Sequence, residues 1–160
     1  MIKENNSFEV KIIKIGRLGS IDNEDTTYSE AIQSVYCYED VILMCFGDIE
    51  VKASMCMDVS DSYRDILGMV KFLESEEKEK IVYWPSQTFF AEWQLKQDKE
   101  TVYIAFNWID IPGNSEYIEY IKGNLNFMSF TRDIFLSQWK KLLHKIENDL
   151  ETVGYKNLLV

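Results

Sequence analysis

Two runs, FFAEWQL (Phe89–Leu95) and TVYIAFNW (Thr101–Trp108), constrain this chain more than any other part of it. In the first, Phe89, Ala91, Trp93 and Leu95 alternate with Phe90, Glu92 and Gln94. In the second, Val102, Ile104, Phe106 and Trp108 alternate with Tyr103, Ala105 and Asn107. Successive side chains of a strand point to opposite faces, so this pattern gives two strands with one face on a core. A charged break parts them, and the pair reads as a hairpin. A one-residue slip would move a strand's whole apolar set to the wrong face. For Trp93 to share a face with Val102 or Ile104, the loop must therefore hold an even number of residues. Lys96–Lys99 or Lys96–Thr101 would satisfy this. Pro85 has no N–H to give a central ladder, so Ile81–Trp84 is expected to stand apart from the strand proper.

The segments on either side follow the same logic. Phe8–Ile15 reads as a strand with a bulge or with both faces covered, because Phe8, Val10 and Ile12 share one face and Ile13 and Ile15 the other. Gly16–Ser20 (GRLGS) breaks it, and with no Gly-Lys-Ser/Thr following it is a turn and not a phosphate loop. Ser20–Ser34 is acidic and weakly patterned, a long solvated connection or part of a binding face. Val35–Tyr38 suggests a short strand. Val41–Phe46 (VILMCF) is apolar throughout, as a strand covered on both faces would be. Gly47-Asp48 links it to the alternating run Ile49–Met57, and glycine at the first central position suits a type II′ hairpin turn. Asp58 stands where a helix N-cap is expected. Val59, Tyr63, Ile66, Leu67, Val70 and Leu73 then recur at helical spacing as far as Glu74. After the hairpin, Pro112-Gly113-Asn114 turns the chain and Leu125–Ser129 makes a last short strand. The longest helix runs over Thr131–Val153, with Phe135, Trp139, Leu142, Leu143, Ile146, Leu150 and Val153 as its apolar stripe and Gly154 as its C′ residue. Short hairpins between consecutive strands exclude a regular βαβ series. The predicted fold is a single α+β domain, 1–160: a largely antiparallel sheet of about six or seven strands with two α-helices packed on one face.

Charge narrows the choice of partners. The formal net charge is −10. Residues 1–128 hold 12 Lys/Arg against 23 Asp/Glu, while residues 129–160 hold 5 against 4, so the acid lies on the body and not in a tail. Such a field repels phosphate backbones and anionic lipid and attracts cations. Neither nucleic acid nor membrane is expected as a partner. No apolar run reaches the roughly 18 residues of a membrane span, and the opening MIKENNSFEV lacks the apolar region of a secretory signal. Cys37, Cys45 and Cys56 lie in apolar runs with no CxxC pairing. They read as buried reduced thiols of a cytoplasmic protein, not as metal ligands.

The search for chemistry assigns no catalytic, cofactor-binding or metal-ligating residue. His144 is the sole histidine and sits among lysines beside the helical stripe; no GxSxG elbow accompanies it. Rossmann, Walker, zinc and EF-hand patterns are absent. Glu92 interrupts an aromatic strand. Burial would raise its pKa and mark an acid/base, whereas simple alternation places it on the solvent face. With Asp110 it is the first suspect if the chain is an enzyme working through carboxylates. An assembly subunit, pairing through an edge strand or the apolar C-terminus, is a further alternative. Tyrosine beside carboxylate offers rigid contact area plus charge for a Lys or Arg, as at protein interfaces. Asp110, Glu116, Tyr117, Glu119 and Tyr120 have that character, although edge-strand tyrosines would look the same. With Asp22, Glu24, Asp25 and Glu30 of the acidic connection they are the candidate protein-binding residues.

The pieces come in a recognisable order. A strand pair leads into DVSDSYRDILGMVKFL; WPSQTFFAEWQL and TVYIAFNW follow; a late strand enters SFTRDIFLSQWKKLLHKIENDL. Over residues 35–152 this resembles the small WapI-like immunity proteins of bacterial polymorphic-toxin systems. The resemblance implies a cytoplasmic, non-catalytic protein that binds and neutralises a cognate toxin domain in its own cell. The acidic body makes the expected toxin cationic. The chain itself is expected to be a monomer or weak homodimer.

Overall fold

The computed structural model describes residues 5–14 and 16–160; Ile15, assigned above to the first strand, lies outside the described residues, as do Met1–Glu4. Strands β1 (Phe8–Ile13), β2 (Val41–Phe46) and β3 (Ile49–Ser54) form one antiparallel sheet in that order. A second antiparallel sheet follows the chain as β4 (Glu79–Ser86), β5 (Phe89–Gln97), β6 (Thr101–Asp110) and β7 (Phe127–Thr131). The α-helices are α1 (Tyr28–Val35), α2 (Ser60–Leu73), α3 (Ile118–Asn124) and α4 (Arg132–Val153). The fold is α+β, as expected. Its strands, however, are split between two sheets, and four helices stand among the described residues where two were expected.

The split has a local cause. β1 and β7 share no ladder; an isolated parallel bridge joins the residues just ahead of β1 to β7, where the Asn6 N–H donates to the Ser129 carbonyl at 3.0 Å. β7 then runs directly into α4. From that helix, Gln138 Oε1 accepts the edge N–H of Val10 at 3.0 Å. A side chain thus takes the ladder position that a neighbouring strand would fill, so the edge is satisfied without extending the sheet. Helices α1, α2 and α4 pack on one another, α2 against β4 and α4 against β1.

In the β5–β6 hairpin Trp93 lies opposite Phe106, Leu95 opposite Ile104 and Gln97 opposite Val102. The residues between the last pair are Asp98–Thr101, an even number, as register requires. The loop nevertheless sits further along than expected. Gln97 is a core position, its Nε2 donating to the carbonyls of Phe72 at 2.8 Å and Glu77 at 2.7 Å. Asp98 Oδ1 closes the turn on the N–H groups of Glu100 and Thr101 at 2.9 and 2.8 Å. Ile81–Trp84 does not stand apart: Pro85 lies within β4, opposite Phe90. β4 pairs only with β5, and on an edge strand a missing N–H costs no ladder bond.

Several helix boundaries also move. The acidic connection becomes helical at Tyr28, where Thr27 and Glu30 form a capping box. Val35, expected in a strand, ends α1, and the Tyr36 N–H closes that helix on the Ile32 carbonyl at 3.1 Å. A π-helical turn, Met55–Val59, precedes α2, so the alternating run leaves β3 at Ser54. Ser54, not Asp58, is the cap: its Oγ accepts the Met57 N–H at 3.3 Å. Asp58 is buried and accepts from the Ser54 N–H and the Ser86 hydroxyl, both at 2.7 Å, and from the Thr88 hydroxyl. It ties the start of the helix to the β4–β5 turn. The Gly47-Asp48 turn is as expected, with Gly47 at φ +60° and Asp48 outside the positive-φ region. Gly154 ends α4 at φ +118°.

Both sheets and α4 share one aromatic core. Phe8, Phe46, Trp84, Phe89, Trp93, Phe106, Trp108, Phe130, Phe135 and Trp139 make a continuous chain of ring contacts, with centroids from 4.4 to 6.3 Å apart. Replacing Asp58 with alanine is expected to lower the unfolding free energy by about 2–4 kcal/mol, because one N–H and two hydroxyls lose their acceptor together. Ser86→Ala should cost only about 1 kcal/mol, and urea titration of the two variants checks the difference.

Candidate functional site

Exposed tyrosines and carboxylates come together where the chain leaves β6 and folds across the outer edge of β3. Phe46 and Ile49 flank a two-residue turn, so ladder alternation leaves the backbone of Lys52 facing out from that edge. Asn114 occupies it. Its Oδ1 accepts the Lys52 N–H at 2.7 Å, and its Nδ2 donates to the Lys52 carbonyl at 2.9 Å. A single buried amide therefore does the work of one residue of an added strand. It holds the 3₁₀ turn Pro112–Asn114 in place. The Tyr117 N–H then bonds to the Asn114 carbonyl at 2.9 Å, and α3 follows.

Between this segment and the β2–β3 hairpin lies an open cleft of about 500 Å³. Leu43, Asp48, Ile49, Glu50 and Lys52 form one wall; Gly113 to Tyr117, Tyr120 and Ile121 form the other. Tyr117 and Tyr120 are 64% and 58% exposed, with rings free to meet a partner. Three carboxylates (Asp48, Glu50 and Glu116) share the cleft with one ammonium, that of Lys52. Of the residues singled out from sequence, Glu116, Tyr117 and Tyr120 line it; Glu119 and Asp110 are exposed outside its lining. The tyrosines stand on a turn and a short helix, not on an edge strand. Sequence reasoning missed Asp48, Glu50, Lys52 and Asn114. The first three were legible as the outward side of a hairpin, but nothing in their pattern says what folds over them.

The other acidic group belongs elsewhere and is largely engaged in holding α1. Asp22 Oδ1 accepts the Glu24 N–H at 2.9 Å. Asp25 Oδ2 accepts the hydroxyls of Ser34 and Tyr155, both at 2.6 Å, while the Asp22 N–H donates to the Tyr155 oxygen at 3.0 Å. Burial pushes the Tyr155 phenol up. Glu30 Oε2 accepts from the N–H groups of Thr26 at 2.7 Å and Thr27 at 3.1 Å. None of these four acids lines the cleft at β3.

Glu92 is on the outward side of β5, half-buried, opposite Tyr83 and Asn107; alternation accounts for it. Neither Glu92 nor Asp110 lines the cleft. His144 is exposed on α4. All three cysteines are free, but only Cys45 is buried; Cys37 follows α1 and Cys56 lies in the π-turn, so the expectation of buried strand thiols holds for one of the three. Among the described residues, no group of three or more His, Cys, Asp or Glu side chains gathers to hold a metal ion, and no helix is long and apolar enough to cross a membrane.

Comparison with family models, curated proteins and solved structures finds no match to the chain.

The Glu30 cap has a measurable consequence. Its carboxylate is held below its ordinary range by the Thr26 N–H first and the Thr27 N–H second. Folding thus favours the ionised form. The stability it contributes is present above the unfolded pKa of about 4.3 and is lost as pH falls through the lower folded value. Glu30→Gln should therefore be less stable than the parent at neutral pH and converge on it in acid, as thermal melts at stepped pH would record.

Proposed function

We propose that this chain is a non-catalytic, immunity-type protein that binds and neutralises a cationic toxin domain in the cytoplasm of the cell that makes it. The observation that carries this reading is the cleft at the edge of β3, where Tyr117 and Tyr120 stand among Asp48, Glu50 and Glu116 on a body of charge −10. Tyrosines give broad contact area for few frozen torsions, and surrounding carboxylates meet the Lys and Arg of a basic domain. The net field adds long-range steering, which raises the association rate and fades with salt. The order of elements that resembles the WapI-like immunity proteins supports the same reading. So does the placement of Glu92 and Asp110, the two carboxylates first suspected of catalysis, outside the cleft.

Co-expression with the product of the adjacent gene tests the proposal. Protection of the cells and recovery of a complex are expected; absence of both removes its support. Within such a complex, Tyr117→Ala and Tyr120→Ala should each weaken binding by about tenfold or more, mainly through faster dissociation. Glu116→Lys should instead slow association and reduce its salt dependence. Stopped-flow and surface-binding kinetics separate the two effects.

A further inference from the structure

The outer face of the four-stranded sheet holds six large apolar side chains that nothing in the described chain covers. They are Ile81 and Tyr83 on β4, Phe90 on β5, Tyr103 and Ile109 on β6, and Phe127 on β7, each 38% to 57% exposed. The register sets them toward two corners of the face, Ile81, Tyr83, Phe90 and Ile109 toward one and Tyr103 and Phe127 toward the other, with Glu92, Gln94 and Asn107 between. Ile81 lies opposite Gln94, Gln94 opposite Ala105 and Ala105 opposite Phe127; in the next row Tyr83 lies opposite Glu92 and Glu92 opposite Asn107. The rings of Tyr103 and Phe127 stack at 6.5 Å. Single exposed apolar residues need no explanation, but six on one sheet face do.

The same face carries little of the chain's acid. Its outward charges are Glu79 and Lys96, paired at 3.5 Å, Glu92 near the middle and Asp110 at the rim. Three carboxylates and one ammonium leave −2 of the chain's −10. We propose that two copies of this chain pair through this face. Two bodies of like charge repel less where each presents little charge, and this face also presents six large apolar side chains. Large side chains of this kind offer about 200 Å² each when open, so six of them, near half exposed, present roughly 500 Å². Two such faces remove about 1,000 Å² from water before any polar neighbour is counted, close to the roughly 1,200 Å² at which specific interfaces begin. Twisted sheets stack face to face at about 10 Å with a small crossing angle, which lets the rings interdigitate. The pairing is independent of the cleft at β3 and of the function proposed for it.

Sedimentation of the full chain over a concentration series tests the proposal. A monomer–dimer equilibrium in the micromolar range is expected. Phe90→Glu and Phe127→Glu should each weaken it by about a hundredfold. Glu92→Gln, which removes the one charge buried at the centre on association, should tighten it about tenfold. All three positions point away from the core, and unchanged near-ultraviolet dichroism would show that the variants are folded. A chain that stays monomeric up to about 1 mM overturns the proposal. So does a dimer that neither charge insertion disturbs. A monomer whose sheet face is protected from hydrogen exchange only by a basic partner domain would also overturn it, and assign the face to that partner instead.

Discussion

Phe46 is the contact on which the two-sheet arrangement depends. It projects from β2 into the rings of Trp93, Phe106 and Trp108 at 5.7, 5.1 and 6.3 Å, and so holds one sheet against the other. Phe8 and Trp139 extend the contact to α4, their centroids 5.8 Å apart. The cost of this core is visible in its nitrogens. The indole N–H groups of Trp84, Trp93 and Trp139 are buried without an acceptor among the described residues, whereas Trp108 donates to the Leu125 carbonyl at 2.8 Å. An unsatisfied N–H costs about 1–3 kcal/mol. Burying about 200 Å² of ring at 25 cal/mol per Å² returns about 5 kcal/mol. Ring burial wins at each position.

Around that apolar centre, a few polar side chains decide how the layers end. Gln138 satisfies β1, Asn114 satisfies β3 and Gln97 joins the β5–β6 hairpin to the end of α2. Each is a neutral amide that supplies a donor or an acceptor where a ladder stops, so no charge has to be desolvated. The buried carboxylates of Asp58 and Asp149 are both hydrogen-bonded. Asp149 of α4 accepts from the Tyr36 hydroxyl at 2.6 Å and from the Lys145 ammonium, and burial followed by that carboxylate pushes the Tyr36 phenol up. The two exposed surfaces with most to offer a partner differ in kind. One is an acidic cleft with tyrosines, made by a segment pinned across a strand edge. The other is a flat, nearly neutral sheet face.

Much of this was legible in residue patterns. The β5–β6 hairpin, the Gly47-Asp48 turn, the stripe of α4 and its Gly154 stop follow from periodicity and from the φ demands of particular turns. α1 was legible too, through Thr27-x-x-Glu30 ahead of Ala31 and Ile32, but the density of acid around it reads first as a loop. Asp58 misled for a better reason. A carboxylate before a helical stripe is a reasonable cap by local rules, and its real partners, Ser86 and Thr88, lie about thirty residues away. The tyrosines at 117 and 120 were visible as interface-like residues; the Asp48 and Glu50 wall that completes their cleft was not.

By itself, the sequence determined the alternation of faces, the parity of the central loop, the antiparallel character of the strands and the acidic body. These depend on neighbours a few positions apart, where the backbone's own periods govern. Only the tertiary structure decided that the strands divide into two sheets, that residues 112–121 cross the edge of β3, and which acids are engaged in caps and which stand open. Those outcomes rest on single amide and carboxylate contacts between residues far apart in the chain. No local period encodes them, because their partners become neighbours only once the aromatic core has closed.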